Sequence, residues 1–390
     1  MSLESGSLTL RRFYIQSRVK ASSDSSWVEK LKTNAFVDRK LDMEDENMGW
    51  SVFGDELATD FRIDNTAFGK FIVFSFRKDQ IKVPSGLLNL HVKSRIKERM
   101  KSEELETLPQ KQRQEIKEEV LEEFVKQTPA TVQVIQVMLD TARNELYLGS
   151  TSDKVSDLFT QLFMKSFDLK LQDANFMATA QQMLEEATFE KVLDEPGITI
   201  GNPAEIHPEF EDTLEGKLGA SYLTWLLFNL QTGEGTWKTA HAGEFGLVLN
   251  EYLLLEGEAL GSKQMLLKKG VLAKCAELAT SLRIGKLVSK IRIEMARDGV
   301  QSEEEKDSNA EVWGLMIDKL KYDFSSLKVP KISEGNEAAK ALGRFNGIID
   351  SVELMDELFE HYLKLRYSNK WKSTLNEMQE WVSSLQLPEE

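Results

Sequence analysis

Lys286, Lys290 and Arg292 stand four and then two residues apart in the stretch RIGKLVSKIRIEMAR, residues 283–297, where the single acid is Glu294. Side chains two and four positions apart on a strand share a face, so these cations project together while Leu287, Ser289 and Ile291 face the other way. Val288 falls on the basic face, and the alternation is imperfect there. Cations spaced about 7 Å per two residues suit a phosphate backbone, and such a row reads no base sequence. From Lys263 to Arg297 the chain carries nine Lys or Arg against Glu277 and Glu294, a net +7 within a protein of formal charge −15. The plainer reading is a solvated face neutralised by the surplus acids, because the run has no aromatic stacking partner. Charge counting leaves both readings standing.

Two further basic stretches invite the same question. Residues 77–101 carry eight cations against Asp79 and Glu98, net +6. In KLRYSNKWK, residues 364–372, Lys364, Arg366, Lys370 and Lys372 interleave with Tyr367 and Trp371. Those rings suit either stacking on single-stranded bases or anchoring a loop between two helices.

Catalytic patterns are missing from the sequence. It contains no P-loop, no GxGxxG opening a helix, no HExxH and no GxSxG. Gly233, Gly235 and Gly243 lack the Lys-Ser/Thr of a phosphate cradle and read as a turn. Asp42, Glu44, Asp45 and Glu46 are the residues a divalent-metal nuclease would recruit, but a polar loop without strand-borne partners reads as solvated. Cys275 is the only cysteine, and His91, His207, His241 and His361 are scattered without ligand spacing, which excludes a Cys-cluster zinc site. No catalytic residue, cofactor or metal is expected. No apolar run approaches the roughly 20 residues of a membrane span, and the start of the chain lacks the order of a secretory signal, so a cytoplasmic protein is expected.

The elements that must position these residues read as α+β. LTLRRFYIQ and GKFIVFSFRK have strand character, and SSWVEKLKTNAF reads as a serine-capped helix. Leu88, Val92, Ile96 and Met100 form one helical stripe, with Lys93, Lys97 and Lys101 on another. A second charged helix follows Pro109, so residues 85–127 form a long helical hairpin within an N-terminal α+β region, 1–185. Residues 186–218 are acidic and Pro/Gly-punctuated, a linker or insertion. Residues 219–332 form a basic α+β region with strands near KQMLLKK, KLVSKIRIEM and EVWGLMIDKLKYDF, and 333–390 a helical lobe.

These strings carry a family likeness: the chain resembles the RdgC family of recombination-associated bacterial proteins. MGW at 48–50, GKFIVFSFRKDQIKVPSGLLNLHVKSRIK and KEEVLEEFVKQTPATVQVIQVMLDTARNELYLGSTSDK resemble the family's early segments in order. Leu223-Thr224-Trp225 and the run Gly285 to Ile291 are similar to later ones. The resemblance implies a multi-lobed subunit that forms a ring-shaped homodimer, encircles duplex DNA with little sequence preference and restrains RecA-dependent recombination at the nucleoid. By the same likeness Lys286 resembles a DNA-contacting lysine and Lys268 and Lys269 a lysine pair on the preceding strand. Lys290 is similar by motif, and its role there is our inference. Three segments depart from the pattern. QTPAT at 127–131 has Pro129 and no aromatic residue, and the acidic 186–218 stretch and the helical C-terminus lack clear counterparts. Single-stranded DNA is a further partner to expect beside the duplex, and a protein-interaction scaffold of the same fold without strong DNA binding is the competing reading. A metal-dependent exonuclease is the third.

Overall fold

The computed structural model describes residues 3–40, 46–201, 212–233, 235–240, 243–257, 263–269, 275–297, 311–332 and 335–385. The chain begins with β1 (Leu8–Ile15), α1 (Ser26–Thr33), β2 (Glu46–Ser51), α2 (Ile63–Thr66), β3 (Ala67–Phe68) and β4 (Phe71–Gln80). The hairpin α3 (Ser85–Ser102) and α4 (Gln110–Gln127) leads to β5 (Thr131–Asp140), β6 (Glu145–Leu148), α5 (Asp153–Phe167) and β7 (Leu171–Asp173). Next come α6 (Phe176–Met183), α7 (Glu186–Asp194), α8 (Leu214–Thr232), β8 (Thr236–Lys238), β9 (Glu244–Glu256) and β10 (Gln264–Lys268). Then follow α9 (Ala276–Arg283), β11 (Leu287–Arg297), β12 (Val312–Asp318), β13 (Phe324–Lys328), α10 (Glu337–Arg366) and α11 (Trp371–Ser384).

One continuous sheet runs in the order β10-β9-β11-β12-β13-β1-β6-β5-β4-β2, with β3 beside β4, β7 beside β1 and β8 beside β9. Strand β1 joins its two halves: Leu8 and Leu10 pair with β13, and Arg11 to Tyr14 pair with β6. The pleat sends alternate residues to opposite cores. Phe71 and Val73 of β4 enter one core and Ile72, Phe74 and Phe76 the other. Trp27, Val28 and Leu31 of α1 and Phe159, Phe163 and Phe167 of α5 close the second core. The sheet is therefore buried on both faces over its N-terminal strands.

Several sequence expectations take a different form. Ser25 makes no cap bond to α1; the Asp24 carboxylate instead accepts from the Ser26 N–H at 2.8 Å. Within the stretch expected as a linker, residues 186–194 are helix α7 and both Val192 and Ile200 are buried. The helical C-terminus packs into the main core: Ile348, Val352, Met355 and Phe359 of α10 lie in the cluster that holds Leu253, Ile291 and Leu315 of the sheet. A long apolar helix stripe beside an apolar sheet face leaves both partners exposed unless they meet.

The hairpin follows its stripes. Leu88, Ile116 and Val120 form a small separate core with Val92, Ile96, Met100 and Phe124 packed around it. Among the described residues no helix is long and apolar enough to cross a membrane.

Candidate nucleic-acid interface

The β11 strand sets the geometry through an irregularity. Its register against β9 shifts between Val288 and Lys290 and again between Ile291 and Ile293. A bulge inserts one residue and flips the alternation beyond it. Val288 therefore joins Ile291, Ile293 and Met295 in the core, and Lys290, Arg292 and Glu294 take the opposite face. The expected single row of Lys286, Lys290 and Arg292 is broken. Lys286 lies before the bulge with only 3% of its surface exposed, and burial lowers its ammonium pKa below the ordinary lysine value. A Cβ on Gly257 would come within 3.0 Å of the Lys286 Cα, which shows how closely the chain passes there.

The outer face collects its residues from four strands. Lys290 pairs across with Leu254 of β9 and Asp318 of β12, and its ammonium is 3.9 Å from the Asp318 carboxylate. Arg292, opposite Met316, has no carboxylate partner among the described residues. On the edge strand β10, exposed Lys268 lies opposite Tyr252, with its ammonium 5.4 Å from the ring centre. Lys269 is exposed at the strand's end in the left-handed region, φ 65°, and its N–H donates to the Glu251 carbonyl. Lys268, Lys290 and Arg292 thus share one face, Lys269 sits at its edge, and Lys286 stands apart. Glu256 is drawn to the buried Lys319 at 3.0 Å, and Glu294 accepts from Asn250, so two of the nearby acids are already engaged.

Sequence reasoning missed Tyr252. The run EYLLLE hides its alternation, because Leu253, Leu254 and Leu255 are alike although the outer two face the core and the middle one does not.

Other basic residues have structural work. Arg297 is ion-paired to Glu311 at 2.7 Å and Asp350 at 2.6 Å and lies over the Phe245 and Trp313 rings. Arg283 donates to the last carbonyls around α11. Arg77 pairs with Asp79 and buried Lys78 with Glu46, each at 2.7 Å. In the aromatic loop Trp371 is buried, Tyr367 donates to the Glu195 carbonyl at 3.1 Å and Arg366 to that of Gly197 at 2.8 Å, so these rings anchor a loop. Lys93, Lys97 and Lys101 remain exposed along α3, whereas Arg95 of the same helix pairs with Glu123 of α4.

Acids gather at the junction of the sheet halves. Arg11 meets Asp153 and Asp323, each at 2.9 Å, and Lys321 also reaches Asp153. Burial raises Asp173 and lifts Asp323 to about 6, against the pull of Arg11 in both cases. Clefts of 250 and 440 Å³ flank this group. Among the described residues no three His, Cys, Asp or Glu side chains form a metal-binding set. Residues 41–45, His207 and His241 lie outside the described residues.

The molecule is thus an α+β protein built on one antiparallel sheet, with the cations Lys268, Lys290 and Arg292 on the open face of its C-terminal half. Residues 10–194, from β1 to the end of α7, match the family model described as "Putative exonuclease, RdgC". The cationic face lies beyond the matched residues. No curated protein matches the chain.

Proposed function

We propose that the protein binds DNA without sequence preference through the outer face of β9 to β12, as a ring-forming homodimer of the RdgC kind that encircles duplex DNA and modulates RecA-dependent recombination at the nucleoid. The observation that carries this reading is the convergence of Lys268 from β10 and Lys290 and Arg292 from β11 onto one open face of an otherwise acidic protein. Phosphates are drawn to that face, and the surplus acids repel them elsewhere. The RdgC family-model match over residues 10–194 supports the recombination role.

Duplex binding followed by fluorescence anisotropy across a salt series tests the reading. Each neutralised phosphate contributes about −0.9 to the log-log slope, so three cations on each of the ring's two protomers predict about −5.4. A slope near zero sinks it. We read the protein as a binder and not a nuclease, because the acids gathered at Arg11 are matched by Arg11 and Lys321. End-labelled linear duplex incubated with Mg²⁺ or Mn²⁺ should stay at full length; progressive shortening reverses that part of the proposal.

A further inference from the structure

The basic run has no aromatic neighbour in sequence, and the fold supplies one. Leu253 and Leu255 of β9 enter the core, which places Tyr252 and Leu254 on the open face. Tyr252 is half-buried, so its ring is held by neighbours while still reaching solvent. On one side, across the ladder, is Lys268. On the other, β11 pairs Ile291 with Leu253 and Ile293 with Leu249, leaving Arg292 beside the irregular stretch of β9 that contains Tyr252. Leu254 and Leu266, cross-strand partners, extend the surface next to the ring, and Leu266 is 45% exposed.

We infer that Tyr252 is a stacking platform for a base of single-stranded DNA, with Lys268 and Arg292 holding the flanking phosphates. This rests on the DNA-binding reading above and gives the same face a strand preference. A duplex keeps its bases stacked inside and offers the sheet only phosphates, whereas a single strand also offers open π-faces. The strands carrying Lys268 and Arg292 are two ladder spacings apart, about 10 Å, with the Tyr252 strand between them. The apolar pair Leu254 and Leu266 gives an adjoining base a surface to cover. If Tyr252 served only to pack the Lys268 stem, its loss would affect both forms of DNA alike.

The test uses the full chain and two fluorescein-labelled probes of equal length, an oligo-dT strand and a mixed-sequence duplex. A stacked base contributes about 1–3 kcal/mol, so Tyr252→Leu should weaken oligo-dT binding by about 5- to 150-fold and change duplex binding by less than about twofold. Tyr252→Phe keeps the ring and should keep oligo-dT affinity. Unfolding midpoints matching wild type confirm that both variants are folded. Equal losses on both probes, no loss on oligo-dT, or a Phe variant as weak as Leu overturns the platform. A wild-type chain that binds duplex but not oligo-dT overturns it while leaving the DNA-binding proposal standing; one that binds neither sinks both.

Discussion

Arg12 of β1 and Asp356 of α10 meet at 2.6 Å inside the core, with side chains 4% and 12% exposed. Arg143, in the turn between β5 and β6, reaches the same Asp356 at 3.3 Å and also Glu353 and Glu145, so α10 is tied to the N-terminal strands by a charge network as well as by packing. Removing one member leaves a buried charge uncompensated, at a cost of about 3–5 kcal/mol, whereas apolar replacement of both is often close to neutral. Arg12→Ala should therefore lower unfolding free energy by about that amount in urea titrations, and Arg12→Met with Asp356→Leu should recover much of it. An Arg12→Ala variant as stable as wild type contradicts the network's role.

The bulge in β11 separates two lysines that sequence spacing places together. Lys290→Met should reduce the log-log salt slope of duplex binding by about 1.8, the value of one phosphate on each of the two protomers. Lys286→Met should leave the slope unchanged, because its buried position keeps it off the open face. A slope lowered by Lys286→Met and not by Lys290→Met reverses the assignment.

Asp323 gives a pH signature at the sheet junction. Its carboxyl is raised to about 6 by burial, so the folded state holds the proton more tightly than the unfolded chain, where the pKa is near 3.8. The resulting stabilisation is fully present below about pH 4 and is lost as the pH rises through about 6, a total on the order of 3 kcal/mol. The stability of wild type relative to Asp323→Asn should fall across that window and stay level above it. A difference independent of pH from 4 to 7.5 rejects the raised value.

Trp50 of β2 is fully buried against Phe74, Phe76, Phe159 and Phe167, and its indole N–H donates to Ser166 at 2.9 Å. Trp50→Ala should cost about 3–5 kcal/mol by calorimetry or denaturant unfolding. Trp50→Phe, which keeps a ring but takes the indole donor away from the Ser166 oxygen, should cost less. Equal losses would mean that the hydrogen bond outweighs the packing.

Local periodicity carried much of the fold. The stripes Leu88, Val92, Ile96 and Met100 and Ile116 and Val120 lie on the facing sides of α3 and α4, because a helix repeats every 3.6 residues wherever it sits. The strands at 264–268, 287–297 and 312–318 fall where β-branched and apolar runs predict them. Residues 186–194 were less legible: acid and Gly/Pro content suggests a linker, but Val192 finds a place in the core and the segment is helical. The site was legible as a concentration of charge and not as an arrangement. Arg283, Arg297 and Lys78 count equally in a sum, yet each is engaged by a carbonyl or carboxylate brought from elsewhere.

From the sequence alone came the elements, the hairpin, the clustering of cations in an acidic chain and the likeness to RdgC, all properties of neighbours along the chain. Which cations share an open face was decided by tertiary structure. One inserted residue in β11 turns Lys290 outward and leaves Lys286 behind, and only the β9 to β11 pairing sets Tyr252 between Lys268 and Arg292. Ladder register and a bulge depend on the partner strand, and no window of local sequence contains that partner.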